Sequence, residues 1–355
     1  MDKINVGIIF GGVSSEHEVS LKSAEAIIKN ISKEKYNVHT IGITKRGDWK
    51  LFSGEASNVA SGEWENDPNN KRVLISVDSD VQGVLICEHN ELKTLKLDVV
   101  IPVLHGKNGE DGTIQGLFEM AKIPYVGCET LASAVCMDKI CTNVMLDYFS
   151  VPKAKFHWFG KHDFETDPEK CIAETEKIVG KFPMFVKPAN AGSSVGISKV
   201  KGRGELVEGI QKALKEDDRI LIEEGIVGKE IECAVLGNDE PIASVVGEIV
   251  PCNEFYDYDA KYIDGDSKLY IPARISDEIA DKVRDTAKRA YRILDCKGLA
   301  RVDFFVEDGT GKIYLNELNT FPGFTSISMY PKLMEATGIE FDELIDRLIE
   351  LAVSK

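Results

Sequence analysis

The apolar run KINVGIIF at residues 3–10 ends directly in Gly11-Gly12, and helical periodicity follows from Val19 to Ile31. A short buried strand that turns on glycine into an amphipathic helix is half of a βαβ unit. It commits this end of the chain to a parallel sheet covered by helices. NVHTIGIT and KLDVVIPVLHG read as two further strands, the second ending in Gly106, and IPYVGC at 123–128 closes the unit. Residues 53–71, rich in Ser, Gly, Asn and charge, read as a surface loop. At 355 residues the chain exceeds what one hydrophobic core serves, so two or three domains are expected.

Beyond Thr130 a helical segment carries Met137-Asp138-Lys139, and the strand FPMFVKPA runs straight into the glycine loop AGSSVG. Helix 204–215 and strand RILIEEGI follow. EIECAVLG and PIASVVGEIV alternate and are β-rich, the pattern of an antiparallel sheet. The tyrosine-rich segment NEFYDYDAKYIDGDSKLYIPA precedes a helix over 276–294. ARVDFFVE and KIYLNELNT read as a hairpin turning through Glu307–Gly311, and an acidic helix follows Gly338.

A net charge of -16 argues against a nucleic-acid partner, because a polyanion must be met by surplus Lys and Arg. Nucleotides, which need only a few local cations, are not excluded. The opening MDKINVGIIFGG lacks the basic stretch and long apolar run of a secretion signal. No segment approaches the roughly 18 apolar residues of a membrane span. The eight cysteines include no Cys-x-x-Cys pair and are expected to be reduced thiols in a cytoplasmic protein.

Five constellations carry chemistry. Lys187 ends an apolar strand ahead of Gly192-Ser193-Ser194-Val195-Gly196; a lysine beside small residues whose backbone N–H groups can face phosphate oxygens is one reading, and a plain structural hairpin is the other. Glu317 and Asn319 are two apart and share a strand face. If the hairpin pairs around its glycine turn, Asp303 joins them, and two carboxylates with an amide oxygen suit Mg²⁺. The alternative is a solvated polar face, which the apolar FFV and IYL runs disfavour. Arg301 falls on the same face and could stabilise charge at a reacting carbonyl. The turn Thr320–Ser326 after it offers backbone donors to a carboxylate, or is simply a capped turn. Glu16, in GGVSSEHE after the first strand, could hold an ammonium group or favour a helix dipole. His105, in HGKNGEDG, is either catalytic or structural.

These pieces in this order resemble the D-alanine–D-alanine ligases of the ATP-grasp superfamily. The resemblance rests on FGGVSSEHEVS, HGKNGEDGT, MDK, VKPANAGSSVG, FYDYDAKY, RVDFF and NELNTFPGFTSIS, and spans nearly the whole chain. It implies an α/β, three-domain ATP-grasp fold, with an N-terminal Rossmann-like parallel sheet over 1–128 and two α+β domains, 129–221 and 222–355, gripping ATP. By motif, Lys139 and Lys187 are expected on the ATP phosphates, with Ser193, Ser194 and Val195 in a loop folded over them. Glu223 and Glu230 are expected on adenine and ribose, and Lys261 at the γ-phosphate when its loop closes. Asp303, Glu317 and Asn319 are expected to hold two Mg²⁺ ions, with Mn²⁺ as the alternative metal. Glu16, supported by Ser193 and Tyr262, is implied to bind the ammonium group of the first D-alanine, with His105 beside it. Arg301 and the backbone near Gly323 would form the oxyanion site, and Ser328 would take the second substrate's carboxylate. The reaction implied is D-alanyl-D-alanine formation through D-alanyl phosphate, for cell-wall precursor synthesis, by a cytoplasmic homodimer with small-molecule partners and no membrane.

Within the family, relatives of the vancomycin-resistance type join D-alanine to D-lactate or D-serine, and GITKRGDW and PVLHGKNGEDGT also resemble a D-serine type. Tyr262 stands where the D-lactate type replaces the tyrosine. Met329 stands where D-serine types often carry an arginine, and an apolar neighbour suits a methyl group. Glu224-Gly225 departs from relatives that have a lysine and a bulky residue there. Other ATP-grasp carboxylate–amine ligases have no use for Glu16 with Tyr262. A non-catalytic regulator of this fold would be expected to have lost a metal ligand or phosphate lysine, and this sequence keeps them.

Overall fold

The computed structural model describes residues 3–88, 91–192, 194–250, 268–325 and 327–355. The first sheet contains β1 (Ile4–Gly11), β2 (Tyr36–Ile43), β3 (Trp49–Phe52), β4 (Lys71–Ile75), β5 (Gly83–Glu88), β6 (Glu91–Lys96) and β7 (Val99–Val103). Its order is β6-β5-β4-β3-β2-β1-β7. Strand β1 pairs in parallel with β2 on one side and β7 on the other, as the glycine-turned strand predicts. Its last six residues are all buried, which is why it reads as a continuous apolar run rather than an alternating one. Helix α1 (His17–Asn30) makes the crossover.

The sheet continues past β2 through an antiparallel meander, β3 to β6, where strand–helix alternation alone predicts only parallel strands. Residues 53–71 also differ from the surface loop expected. They hold the helix Ala56–Ser61 and a single 3₁₀ turn, Glu63–Asn66. Trp64 in that turn is buried, its ring edge-on to Phe10 with centroids 5.0 Å apart. One large aromatic anchors a stretch whose average polarity reads as loop, because burying an indole outweighs several solvated neighbours. Gly42 on β2 makes room for it: a Cβ there would stand 2.2 Å from the Trp64 ring. Gly42→Ala is therefore expected to destabilise the protein by about 1–3 kcal/mol, read as a lowered urea midpoint.

The second sheet, β8 (Phe156–Gly160), β9 (Met184–Pro188), β10 (Ser198–Val200) and β11 (Arg219–Glu224), runs in the order β10-β9-β11-β8 and is antiparallel throughout. Its core is its own, built from residues such as Phe159, Ile172, Met184, Val186 and Ile210. The third sheet contains β12 (Gly228–Leu236), β13 (Ile242–Val250), β14 (Lys268–Tyr270), β15 (Leu299–Glu307) and β16 (Ile313–Asn319), in the antiparallel order β14-β13-β12-β15-β16.

First and third sheets share one apolar cluster. Val6, Ile8 and Phe10 belong to the same core as Ala234, Leu236, Phe321, Phe324 and Tyr330. Apolar burial thus fuses these two sheets, while the second sheet faces the third across a groove.

Candidate active site

The groove holds two adjoining clefts of about 390 and about 550 Å³. Glu16, His105, Lys139, Arg301, Asn319, Gly323, Ser328 and Met329 line the first. Glu230 and Asp303 line the second, and Lys187, Ser194, Glu223 and Glu317 line both. Residues from all three sheets and their loops thus converge. Val195 is the described exception: it lines neither cleft and is exposed. Ser193, Lys261 and Tyr262 lie outside the described residues.

Strand β9 delivers Lys187. Its Nζ lies 2.6 Å from Glu223 Oε2 and donates to Asn316 Oδ1 at 3.3 Å. Burial disfavours the ammonium, but Glu223, with Glu317 and Glu230 further off, holds its pKa above the usual lysine value. Asn143 donates to the other Glu223 oxygen at 3.2 Å. Lys139, first residue of the helix Lys139–Tyr148, donates to the Ala191 carbonyl at 2.7 Å. Asp138 starts that helix by accepting from the Ile140 and Cys141 N–H groups at 3.0 and 2.9 Å. Strands β9 and β10 pair antiparallel around the Gly/Ser loop. The hairpin reading is therefore correct as architecture, and the hairpin carries one lysine on its strand and engages a second at its loop.

On the third sheet Asp303 pairs with Glu317 and Arg301 with Asn319, as expected of one face, in a register that a bulge between Asp303 and Phe304 sets. Arg301 donates from Nε and Nη2 to the two Asp303 oxygens, both at 2.8 Å, and its Nε lies 3.1 Å from Glu232 Oε2. Burial opposes the guanidinium charge, yet Asp303, Glu232 and Glu317 hold its pKa well above the usual value. Asn319 Oδ1 is buried and has no hydrogen-bond partner among the described residues. A buried carbonyl oxygen beside two carboxylates suits a hard cation. Among the described residues no three His, Cys, Asp or Glu side chains gather as a metal site; Asp303 and Glu317 with the Asn319 amide oxygen are the donors that could hold one.

Two acidic-face residues escape the sequence reading. Glu232 sits on β12 opposite Asp303; its two-residue spacing from Glu230 was the available signal. Asn316 should point away by simple alternation. A β-bulge shifts the register between Asp303↔Glu317 and Phe304↔Leu315, leaving Asn316 unopposed and free to meet Lys187.

Glu16 immediately precedes α1 and is buried. A Cβ on Gly106 would stand 2.2 Å from its Oε2, and one on Gly192 2.8 Å, so a side chain at either position would displace the carboxylate from where these two loops close on it. His105 is buried with both ring nitrogens engaged: Nδ1 faces the Phe321 carbonyl and Nε2 faces Ser23 Oγ, each at 3.1 Å. Burial lowers its pKa, against the pull of Glu16. His105 thus lines the cleft and is also structurally bonded.

Glu110, a residue of HGKNGEDGT to which the motif assigns no role, accepts from the Gly106 N–H at 2.6 Å and the Phe321 N–H at 3.3 Å. Burial, then the charge of Glu16, pushes its pKa up to about 8 from 4.5. The folded state therefore keeps a proton that the unfolded chain releases near 4.5. This contribution to stability is full below 4.5, declines as pH rises and is gone above about 8. Relative to Glu110→Gln, the wild type is expected to lose unfolding free energy across that window, as measured by urea unfolding at stepped pH.

A family model described as D-ala D-ala ligase N-terminus matches residues 5–128, and one described as D-ala D-ala ligase C-terminus matches 145–350. The chain belongs to the D-alanine–D-alanine ligase family. It is 52% identical to a D-alanine–D-alanine ligase of Acetivibrio thermocellus, over 100% of this chain and 97% of the relative. A second, from Ruminiclostridium cellulolyticum, is 51% identical over 100% and 96%. Among solved structures, the VanG D-Ala:D-Ser ligase from Enterococcus faecalis superposes with a TM-score of 0.90 at 41% identity, covering 99% of this chain and 100% of that one. The D-alanine–D-alanine ligase from Coxiella burnetii gives 0.86 at 33%, over 99% and 96%. The fold of this family member is accordingly the ATP-grasp fold. Among the described residues no helix is long and apolar enough to cross a membrane.

Proposed function

We propose that this chain joins two D-alanines into D-alanyl-D-alanine with ATP as the driving substrate. One observation carries the reading: a gripped carboxylate, Glu16, two lysines and the Arg301–Asp303–Glu317–Asn319 face all line one continuous groove. That set suits an amino acid whose carboxylate is activated by phosphoryl transfer.

In this reading Glu16 takes the first D-alanine's ammonium group, pointing its carboxylate toward the lysines. Lys187 and Lys139 draw the ATP phosphates into place, with contacts to them also assigned to Ser193, Ser194, Val195 and Lys261. Glu223 and Glu230 receive adenine and ribose. A carboxylate is a poor electrophile; attack of the first D-alanine's carboxylate on the γ-phosphoryl group makes an acyl phosphate and releases ADP. The amine of the second D-alanine then attacks the acyl carbon, and phosphate leaves. Arg301 and the Gly323 backbone stabilise the oxyanion of that tetrahedral intermediate. Ser328, now bonded through Oγ to the Thr325 N–H at 3.0 Å, receives the second carboxylate. Asp303, Glu317 and Asn319 would hold Mg²⁺, or Mn²⁺, which supplies charge neutralisation for the phosphoryl transfer.

Met329 favours D-alanine as the second substrate. It is buried against Gly247, where a Cβ would lie 3.0 Å from its sulfur, and it offers the cleft no donor for a hydroxyl. Three domains, 1–128, 129–221 and 222–355, a cytoplasmic location, a homodimer and a place in peptidoglycan precursor synthesis complete the reading. The test is phosphate release with ATP, Mg²⁺ and D-alanine, alone and with equimolar D-serine, and mass spectrometry of the dipeptides. D-Ala–D-Ala in both mixtures supports the reading; predominant D-Ala–D-Ser would reassign the second substrate, and no turnover would overturn it.

A further inference from the structure

Ser23 lies two turns into α1 and is fully buried. It lines neither cleft. Its hydroxyl nevertheless joins two elements of the site. It accepts the N–H of Phe324 at 3.2 Å, a bond spanning 301 residues of sequence, and meets His105 Nε2 at 3.1 Å. The hydrogen positions follow from the partners. The Phe321 carbonyl can only accept, so His105 Nδ1 carries a proton; in the neutral ring Nε2 is then an acceptor, and Ser23 must donate to it. Every polar atom in this chain of bonds has one consistent role.

The loop so held is the one expected to form the oxyanion site. Its Phe321 peptide is gripped on both sides, the N–H by Glu110 and the carbonyl by His105, while Phe324 N–H is fixed by Ser23. All three anchoring side chains belong to the first sheet and its connections. The loop itself extends from β16 of the third sheet. Glu16 stands at the start of the same α1 that carries Ser23.

We propose that Ser23 is a positioning residue for the ligation: its buried hydroxyl pins the Phe321–Phe324 backbone to α1, setting Gly323 and Ser328 in register with Glu16, and fixes the His105 tautomer. The inference rests on the ligase reading above. A serine acting only as helix filler would be replaceable by alanine. A positioning serine would not, since its loss strands a buried N–H and a buried imidazole nitrogen and frees the loop. Misplacement of the oxyanion loop by a fraction of an ångström slows the chemical step without disturbing nucleotide binding on the second sheet.

The experiment compares wild type with Ser23→Ala in steady-state ligation, measuring kcat, KM for ATP and KM for the second D-alanine, alongside the melting temperature. The expected result is a fall in kcat of about 10- to 100-fold, a raised KM for the second D-alanine and an unchanged KM for ATP. Should the alanine variant fail to fold, Ser23→Cys, near-isosteric with a feeble donor, carries the same expectation. Wild-type kcat in a folded variant, or a KM for ATP that rises in step with the loss, would overturn the proposal. A wild type that forms no dipeptide would instead overturn the ligase reading on which it stands.

Discussion

Glu317→Gln is expected to reduce D-alanine-dependent phosphate release by about 10³-fold while the melting temperature stays close to that of the parent. Glutamine preserves the volume and the pairing with Asp303 across β15 and β16. What it removes is one negative charge from a face where Asp303, Glu232 and Glu317 surround a single guanidinium. That charge is repelled by the neighbouring carboxylates and attracted by Arg301 and Lys187, so the two effects offset and neutralising it is expected to cost the fold little. In the proposed turnover the same charge would be one of the two carboxylates holding a cation, and an amide is a far weaker ligand for Mg²⁺. The measurement is phosphate release against Mg²⁺ concentration. Undiminished release with the wild-type metal dependence would remove Glu317 from the metal site.

Arg301→Met is expected to act on both stability and rate. Removing one partner of a buried ion pair leaves its carboxylates without compensation, at a cost of about 3–5 kcal/mol. Here two partners are stranded, Asp303 and Glu232, on adjacent strands. The variant's deficit in urea unfolding should be greatest near neutral pH and shrink toward pH 4, because stranded carboxylates have raised pKa values and recover by taking protons. Turnover should be lost more completely than stability, since the oxyanion loses its cation. Arg301→Lys restores charge without the two-pronged geometry and is expected to recover stability better than rate. A methionine variant as stable as the parent at neutral pH would show that the Arg301 cluster is not a true buried ion pair.

The elements that the sequence states clearly are those with a strong local period. Strand β1 reads as unbroken apolar residues into Gly11-Gly12, and the β15–β16 hairpin alternates around its glycine turn; counting outward from that turn sets Asp303 opposite Asn316, and only the bulge brings Glu317 there. Strands β4 and β6 were illegible because KRVLI and ELKTLK keep mostly exposed or half-exposed side chains, and a solvated meander carries little apolar signal. Trp64 was hidden by its polar neighbours. Asn316 required knowledge of a bulge, which is a property of two strands together. Ser23 and Glu110 lay further out of reach, since their partners are separated from them by 82 to 301 residues and by 4 to 211 residues respectively. A hydrogen-bond network closed by tertiary folding leaves no periodic trace in the chain. Motif order supplied what period could not, by placing Lys139, Glu16 and Arg301 in one functional set before any geometry brought them together.

The central claim is that the first D-alanine is activated as an acyl phosphate within this groove. It is tested by supplying D-alanine labelled with ¹⁸O in its carboxylate, together with ATP and Mg²⁺, and analysing the products by mass spectrometry. The expected products are ADP and dipeptide, with one ¹⁸O atom carried from the substrate carboxylate into inorganic phosphate. Phosphate free of label, or label recovered in AMP, would contradict it.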